Sequence, residues 1–270
     1  CDEKNIRFGL TTNGLLLNKH ITELAKSNIH TLNISYQISN PLEHGFRGMT
    51  LTLNEYRESI INSVSMLLTS GFKGKIKIKL LITDDNSYYN GSLITGITTI
   101  DDFVSEVEKI YFQLNKTKLE DEKKNILKKI QLNRHCKIEI LKQVYVETFP
   151  FLNWGNYFEN PYKAYVGRCD GIAGQLLIRS NGDVCPCCYD LNSDICLGNI
   201  YRQQLSEILK NKKTQIIKNN INSKLLCYSR CRRCFGQKTL NSLLKEQINV
   251  LKKSEIAEQF QMSNNNIRLY

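Results

Sequence analysis

"GQLLIRSNGDVCPCCYD", residues 174–190, decides how the second half of the chain is read. An apolar run, an Asn181-Gly182 pair suited to a type I′ turn and a second short run make a β-hairpin. On a two-residue turn Leu176 lies opposite Cys187, and Ile178 opposite Cys185. Side chains alternate along a strand, so Cys185 and Cys187 share one face and Cys188 takes the other. Alternation therefore sets Cys188 aside and leaves Cys185 and Cys187 as equal candidates for a ligand position.

The remaining cysteines give the hairpin its meaning. Of ten in the chain, Cys1 and Cys136 stand apart, and the rest fall between Cys169 and Cys234. The first residues, CDEKNIRFGL, lack the basic and apolar regions of a secretory leader. Cysteines in such a chain point to metal or redox chemistry rather than to a disulfide framework. Cys231-Arg-Arg-Cys234 has the two-residue spacing that lets both sulfurs reach one ion or cluster. Cys169, just before the first hairpin strand, lies near the same end as Cys187. Four thiolates in two groups suit tetrahedral zinc as well as an iron–sulfur cluster.

Upstream the grammar differs. "IRFGLTTNG" (6–14), "TLNISY" (31–36), "KIKIKLLIT" (75–83) and "CKIEILKQVYVE" (136–147) read as strands. Between them lie helical patterns: Leu17, Ile21, Leu24 and Ala25; a stripe behind the capping-box pair Thr52 and Glu55, stopped by Gly71; 101–115; and a charged segment 118–131. Alternating strands and helices of these lengths imply a parallel sheet, open or curled toward a barrel. Lys75, Lys77 and Lys79 alternate with apolar residues, so that strand is either an edge or has one face toward a polar cavity. After the hairpin, 197–211 reads as a turn into an amphipathic helix. A last helix carries Leu240, Leu243, Leu244, Ile248 and Leu251 on one face.

The net charge is +11, but the basic residues are spread over many helices rather than gathered in one patch. No nucleic-acid partner is expected. No apolar run reaches the roughly 20 residues that span a bilayer, so a membrane partner is not expected either, and a cytoplasmic location is.

Cys169, twelve residues, Gly182, four residues, Cys187 and a later C-x-x-C resemble the auxiliary-cluster domain of radical S-adenosylmethionine (SAM) enzymes, called SPASM or, in its shorter form, Twitch. "LGNIYRQQLSEILK" is similar to that family's linker helix. "GLTTNGLLLN" and "NISYQ" resemble the second and third strands of the radical SAM barrel. The resemblance implies an α/β fold: a partial radical SAM-type (β/α) barrel over 1–160, a β-hairpin-plus-helix cysteine-rich cluster domain over 161–236, and a helical tail over 237–270. It implies Cys187 rather than Cys185 as the hairpin ligand, and one auxiliary [4Fe-4S] cluster on Cys169, Cys187, Cys231 and Cys234. No cysteine follows Cys234, so the second cluster of the longer form is not expected. By the same resemblance Ser35 contacts the SAM ribose and Thr12 and Asn13 line the cofactor site, although short polar residues at strand ends are also common turn-formers.

Cys227, Cys231 and Cys234 also spell C-x3-C-x2-C, the SAM-cluster signature. It sits at the far end of the chain, with Arg233 in place of an aromatic residue and no βα units behind it, so a SAM-binding role is not assigned to it. The true signature is expected upstream of residue 1, in a longer protein of which this chain is the C-terminal part. That complete enzyme would use a 5′-deoxyadenosyl radical on a peptide or small molecule, with an electron donor such as a flavodoxin or ferredoxin. The alternative is a non-catalytic zinc- or cluster-stabilised binding module. His20, His30, His44 and His135 have no ligand-pair spacing. Trp154 reads equally as a cavity-lining or a packing residue.

Overall fold

The computed structural model describes residues 6–36, 51–83, 88–89, 92–93, 96–132, 135–150, 160–169, 171–190 and 192–263; 88–89, 92–93, 150, 172–173 and 253–263 are described in backbone only. Cys1, His44 and Trp154 lie outside them. The chain divides into two compact units, Cys1–Leu152 and Asn153–Tyr270.

The first unit is a five-stranded sheet with helices on one face. In chain order it comprises β1 (Gly9–Thr12), α1 (Ile21–Lys26), β2 (Thr31–Ile34), α2 (Leu53–Thr69), β3 (Lys75–Ile82), a small ribbon of β4 (Tyr88–Tyr89) and β5 (Ser92–Leu93), α3 (Ile100–Asn115), α4 (Asp121–Lys128), β6 (Lys137–Leu141) and β7 (Val144–Pro150). The sheet order is β1-β2-β3-β7-β6, with β1, β2, β3 and β7 mutually parallel and β6 antiparallel to β7. The α/β expectation holds. Among the described residues the sheet is open, with β1 and β6 at its edges.

Two sequence readings change here. "CKIEILKQVYVE" is a hairpin, not one strand. Gln143 takes a left-handed backbone (φ 63°), its N–H donates to Glu139 Oε1 and its Nε2 to the Phe72 carbonyl. The apolar residues on both sides of Lys142-Gln143 hid the turn, because neither residue is a usual turn-former. The lysine-bearing strand β3 is central, so its edge reading is wrong. Leu32, Ile34, Ile76, Ile78, Leu80, Val144 and Val146 form the buried face, packed with α2 and α3 residues such as Tyr56, Ile60, Phe103 and Ile110. Lys77, Lys79, Tyr145 and Glu147 lie on the other face. Helix α2 begins as the sequence reads: Thr52 and Glu55 close a reciprocal capping box.

The second unit contains a one-turn α5 (Gly171–Gly174), the strands β8 (Leu177–Ile178), β9 (Asp183–Cys185) and β10 (Gly198–Asn199), then α6 (Leu205–Lys210), α7 (Lys212–Asn222), α8 (Ser229–Cys234) and α9 (Leu240–Ser263). The hairpin gains a third strand, in the order β10-β9-β8. Helix α7 has no counterpart in the sequence reading, which ended the linker helix at 211. Asn211 starts it by accepting the Thr214 N–H, at 2.8 Å. Of the apolar face of α9, Leu243 is buried, whereas Leu240, Leu244, Ile248 and Leu251 remain exposed. Gln247 ties that helix to the backbone of Tyr165 and Val166.

Candidate metal centre

The hairpin turn differs from the sequence reading by one residue. Leu177, not Ile178, pairs with Cys185. Arg179 N–H donates to the Asp183 carbonyl and Gly182 N–H to the Arg179 carbonyl, which closes a three-residue loop, Ser180–Gly182. Within this loop Gly182 has a positive φ, of 84°. A side chain there would be strained, and its Cβ would stand 2.5 Å from the Tyr201 ring.

Strand β9 ends at Cys185, where Pro186 removes a backbone donor. Alternation therefore says nothing about the residues beyond it. The parity argument against Cys188 fails for this reason. Cys188 lies close enough to perturb the thiols of both Cys187 and Cys234.

The four cysteines expected as ligands come from three segments. Cys169 precedes α5, and its Sγ accepts the Gly171 N–H at 3.3 Å. A Cβ built on Gly171 would lie 3.0 Å from Cys169 Sγ and 3.7 Å from Cys187 Cβ, so these two cysteines flank one small residue. Cys231 and Cys234 lie three residues apart on α8, which places them on neighbouring turns of one face.

Electrostatics link the segments. Burial, followed by Cys169, Cys187 and Cys234, pushes the Cys231 thiol up to about 12. Cys234 is exposed as a residue, yet burial still heads the causes that push its thiol up to about 11, with Cys187 and Cys169 next. Burial raises Cys187 too, with Cys169 adding to it. Thiolates crowded in this way repel one another, and a bound cation relieves the repulsion. The donor set, four soft sulfurs in half-buried surroundings, fits a thiolate-ligated metal or iron–sulfur cluster. Among the described residues no three His, Cys, Asp or Glu side chains are drawn closely enough together to hold a metal ion as they stand.

Cys185 sits elsewhere. It is fully buried, and its surroundings are Ser193, Asp190 and Cys196 rather than the other four thiols. Cys227 is exposed and lies beside Tyr228.

One side chain joins the hairpin side of this centre to α8. Arg230 donates from Nε to Asp194 Oδ2 and from a terminal nitrogen to the Tyr189 carbonyl, both at 2.7 Å. Its Nε also lies 3.3 Å from Asp190 Oδ1. Asp190 is fully buried and accepts the N–H groups of Asp194 and Ile195, each at 2.9 Å. The arginine therefore clamps the helix carrying Cys231 and Cys234 to the turn that follows Cys187. Arg232 is used differently: its Nε donates to the Leu226 carbonyl and its guanidinium lies 4.6 Å over the Tyr165 ring. Asp190 was missed because one aspartate after a cysteine clump carries no pattern.

The strand-end residues of the first unit are placed separately. Thr12 Oγ1 accepts the Gly14 N–H and Asn13 Oδ1 the Leu15 N–H, at 3.1 and 3.2 Å, which are turn-forming roles. The Tyr56 hydroxyl lies 2.8 Å from the Asn13 carbonyl and 2.9 Å from the Ser35 carbonyl, and so fixes both loops together. His135 pairs with Glu147 at 3.1 Å. No described helix is long and apolar enough to cross a membrane.

No curated protein and no solved structure matches the chain. Residues 169–235 match the SPASM family, an iron-sulfur cluster-binding domain.

Proposed function

We propose that the chain holds one [4Fe-4S] cluster on Cys169, Cys187, Cys231 and Cys234, as the auxiliary cluster of a radical SAM enzyme. The observation that carries this reading is that the four cysteines converge from three segments: Cys169 and Cys187 flank Gly171, Cys231 and Cys234 share α8, and Cys169 helps to raise the thiols of the other three. When bound, a cluster with four cysteine ligands would supply one-electron transfer rather than a position for substrate. The chain's own residues do the rest. The Gly171 N–H donates to Cys169 Sγ, and Cys187 and Cys231 are partly buried. Arg230 fixes α8 on the Cys187–Asp190 turn, and its charge lowers the Cys234 thiol's pKa against the other causes.

The wider reading has SAM at the strand ends of the first unit, near Thr12, Asn13 and Ser35, a peptide or small molecule as substrate, and a flavodoxin or ferredoxin as electron donor. It is supported by the resemblance of "GLTTNGLLLN" and "NISYQ" to radical SAM strands, and by the polar groups at the C-terminal ends of the parallel strands, where such sheets bind ligands.

Anaerobic purification followed by iron, sulfide and zinc analysis tests the cluster. The expected result is about four irons and four sulfides per chain, lost in Cys231→Ala and retained in Cys185→Ala. A colourless protein carrying one zinc overturns the cluster and leaves a zinc-stabilised binding module.

A further inference from the structure

We propose that the exposed apolar stripe of α9 docks a short acidic amphipathic helix of a partner protein. Leu240, Leu244, Ile248 and Leu251 recur at steps of four, four and three residues, which aligns them along one side of the helix for about 16 Å. Each is about half exposed. The helix cannot roll to bury them, because its neighbouring side is already anchored. Leu243 packs with Ala164 and Leu226. One turn on, the Gln247 side chain accepts the Tyr165 and Val166 N–H groups, at 2.9 and 3.0 Å, and donates to the Val166 carbonyl at 2.7 Å. Leu244 and Ile248 follow these two anchors by one residue, about 100° round the axis. The second unit's own packing therefore uses one side of α9 and leaves the next side apolar and open to solvent, as a docking surface is.

Charge and size select the occupant. Lys245 and Lys252, both exposed, follow Leu244 and Leu251 by one residue. Seven residues apart, they stand on one rim of the stripe, two turns from each other. Glu246, the one acid within residues 240–252, falls on the far side of the helix from the stripe. In sequence the next positions at the stripe's spacing are Glu255 and Glu258, so the apolar run ends at Leu251. A basic rim on a chain of net charge +11 is complemented by carboxylates flanking an apolar seam, the arrangement that heptad e and g positions supply. A second copy of the chain brings the same net charge and the same basic rim. Four half-exposed side chains also fall short of the ~800 Å² per partner that a stable interface between folded proteins buries. A helix of about three turns, matched to the length of the stripe, is the occupant that both observations fit.

This surface uses none of the four cysteines and does not rest on the cluster reading. The full chain is titrated, by fluorescence anisotropy, with a labelled helical peptide of about four turns that carries Leu at heptad a and d and Glu at e and g. A control peptide has Lys in place of every Glu. Two double variants are compared with the unaltered chain, Leu244→Gln with Ile248→Gln, and Lys245→Glu with Lys252→Glu; all four positions are exposed, so the fold and the iron content are expected to be unaltered. The expected result is that the acidic peptide binds and the basic one does not. The Kd of the acidic peptide rises about tenfold or more in the Gln variant. In the Glu variant the preference reverses, and the basic peptide binds instead. That reversal separates charge recognition from mere apolar adhesion. The proposal is overturned if the acidic peptide does not bind, or binds both variants as tightly as the unaltered chain. It is overturned equally if the chain instead sediments with phosphatidylcholine–phosphatidylglycerol vesicles, or self-associates in a way that the Gln variant abolishes, since a membrane or a second copy then covers the stripe. Iron content does not enter the binding readout, so failure here leaves the cluster reading standing.

Discussion

The two units are held together in different ways. In the first, one continuous apolar layer joins the buried sheet face to α2, α3 and their neighbours. In the second, the described apolar residues form two small clusters, one around Val184, Ile195, Leu197, Ile208 and Ile217, the other around Ala164, Leu226 and Leu243. Cys231 packs against both. A small domain with so little core needs a staple, commonly a disulfide or a metal. Cys169, Cys187, Cys231 and Cys234, drawn from three segments, are where that staple would be.

The largest expected effect follows from that contrast. Structural thiolate sites contribute about 10–16 kcal/mol of folding free energy through the bound metal. Stripping the cluster, or making Cys231→Ala, is expected to abolish hydrogen-exchange protection in α7 and α8 and leave β2, β3 and α2 protected. Equal loss in both units would break the comparison. Equal survival would show that the small clusters suffice.

The second effect concerns pH. Burial first, and neighbouring thiols after it, raise Cys187, Cys231 and Cys234, the last two to about 12 and about 11. A thiol must lose its proton to become a ligand, so loading of the apo chain releases protons throughout pH 6–8. Loading with cobalt(II) as a spectroscopic probe should strengthen as pH rises, by about a thousandfold per unit from these three thiols alone, or about 4 kcal/mol. A slope near zero would show that the thiols are already ionised.

Next comes the clamp. Arg230→Met leaves Asp190 buried without its cation, and breaking a buried pair by removing one partner costs about 3–5 kcal/mol. Arg230→Lys restores the charge without the fork and is expected to recover part of it. The variant should lower both iron retention and the unfolding temperature of the second unit. In the first unit Ile78→Ala, at a fully buried position, costs about 2–5 kcal/mol. Its cost should be the same with and without metal, whereas that of Arg230→Met should change.

Sequence reading succeeded where a local pattern has one physical outcome. The Thr52–Glu55 box, the Asn181-Gly182 hairpin and the alternating "KIKIKLLIT" each yielded the right element. It failed where tertiary context decides. Nothing in Lys142-Gln143 announces a left-handed residue, because the turn is held by Glu139 and by Phe72, which is distant in sequence. Alternation could not be carried past Cys185, because it holds only while the strand does. The clamp was not legible: Arg230 sits beside the C-x-x-C pair, but its partners Asp190 and Asp194 follow from folding, Asp194 lying 36 residues away. The lysines of β3 left an edge and a polar cavity as alternatives, because the strand's neighbours depend on where β7 joins.

The smallest effect tests whether the first unit's local signals matter beside its core. Thr52 Oγ1 accepts the Glu55 N–H at 3.3 Å, and Glu55 Oε2 accepts the Thr52 N–H and hydroxyl, each at 2.8 Å. Thr52→Ala removes the cap and should cost about 1 kcal/mol, read as a shift in the urea midpoint. The Glu55 carboxyl is held below its ordinary value chiefly by the Thr52 backbone N–H, then by the Thr52 hydroxyl. A carboxyl whose pKa falls on folding stabilises the fold above its unfolded pKa, about 4.3. That contribution is lost as pH drops through the folded value. In Thr52→Ala the backbone bond to Glu55 remains and only the hydroxyl's share goes. The gap between the two chains should therefore narrow from pH 7 to below pH 3 without closing, because the cap on the Glu55 N–H does not titrate. A gap independent of pH would mean that the hydroxyl serves the backbone alone, and that its bond to the Glu55 carboxylate adds nothing to a unit already held by its core.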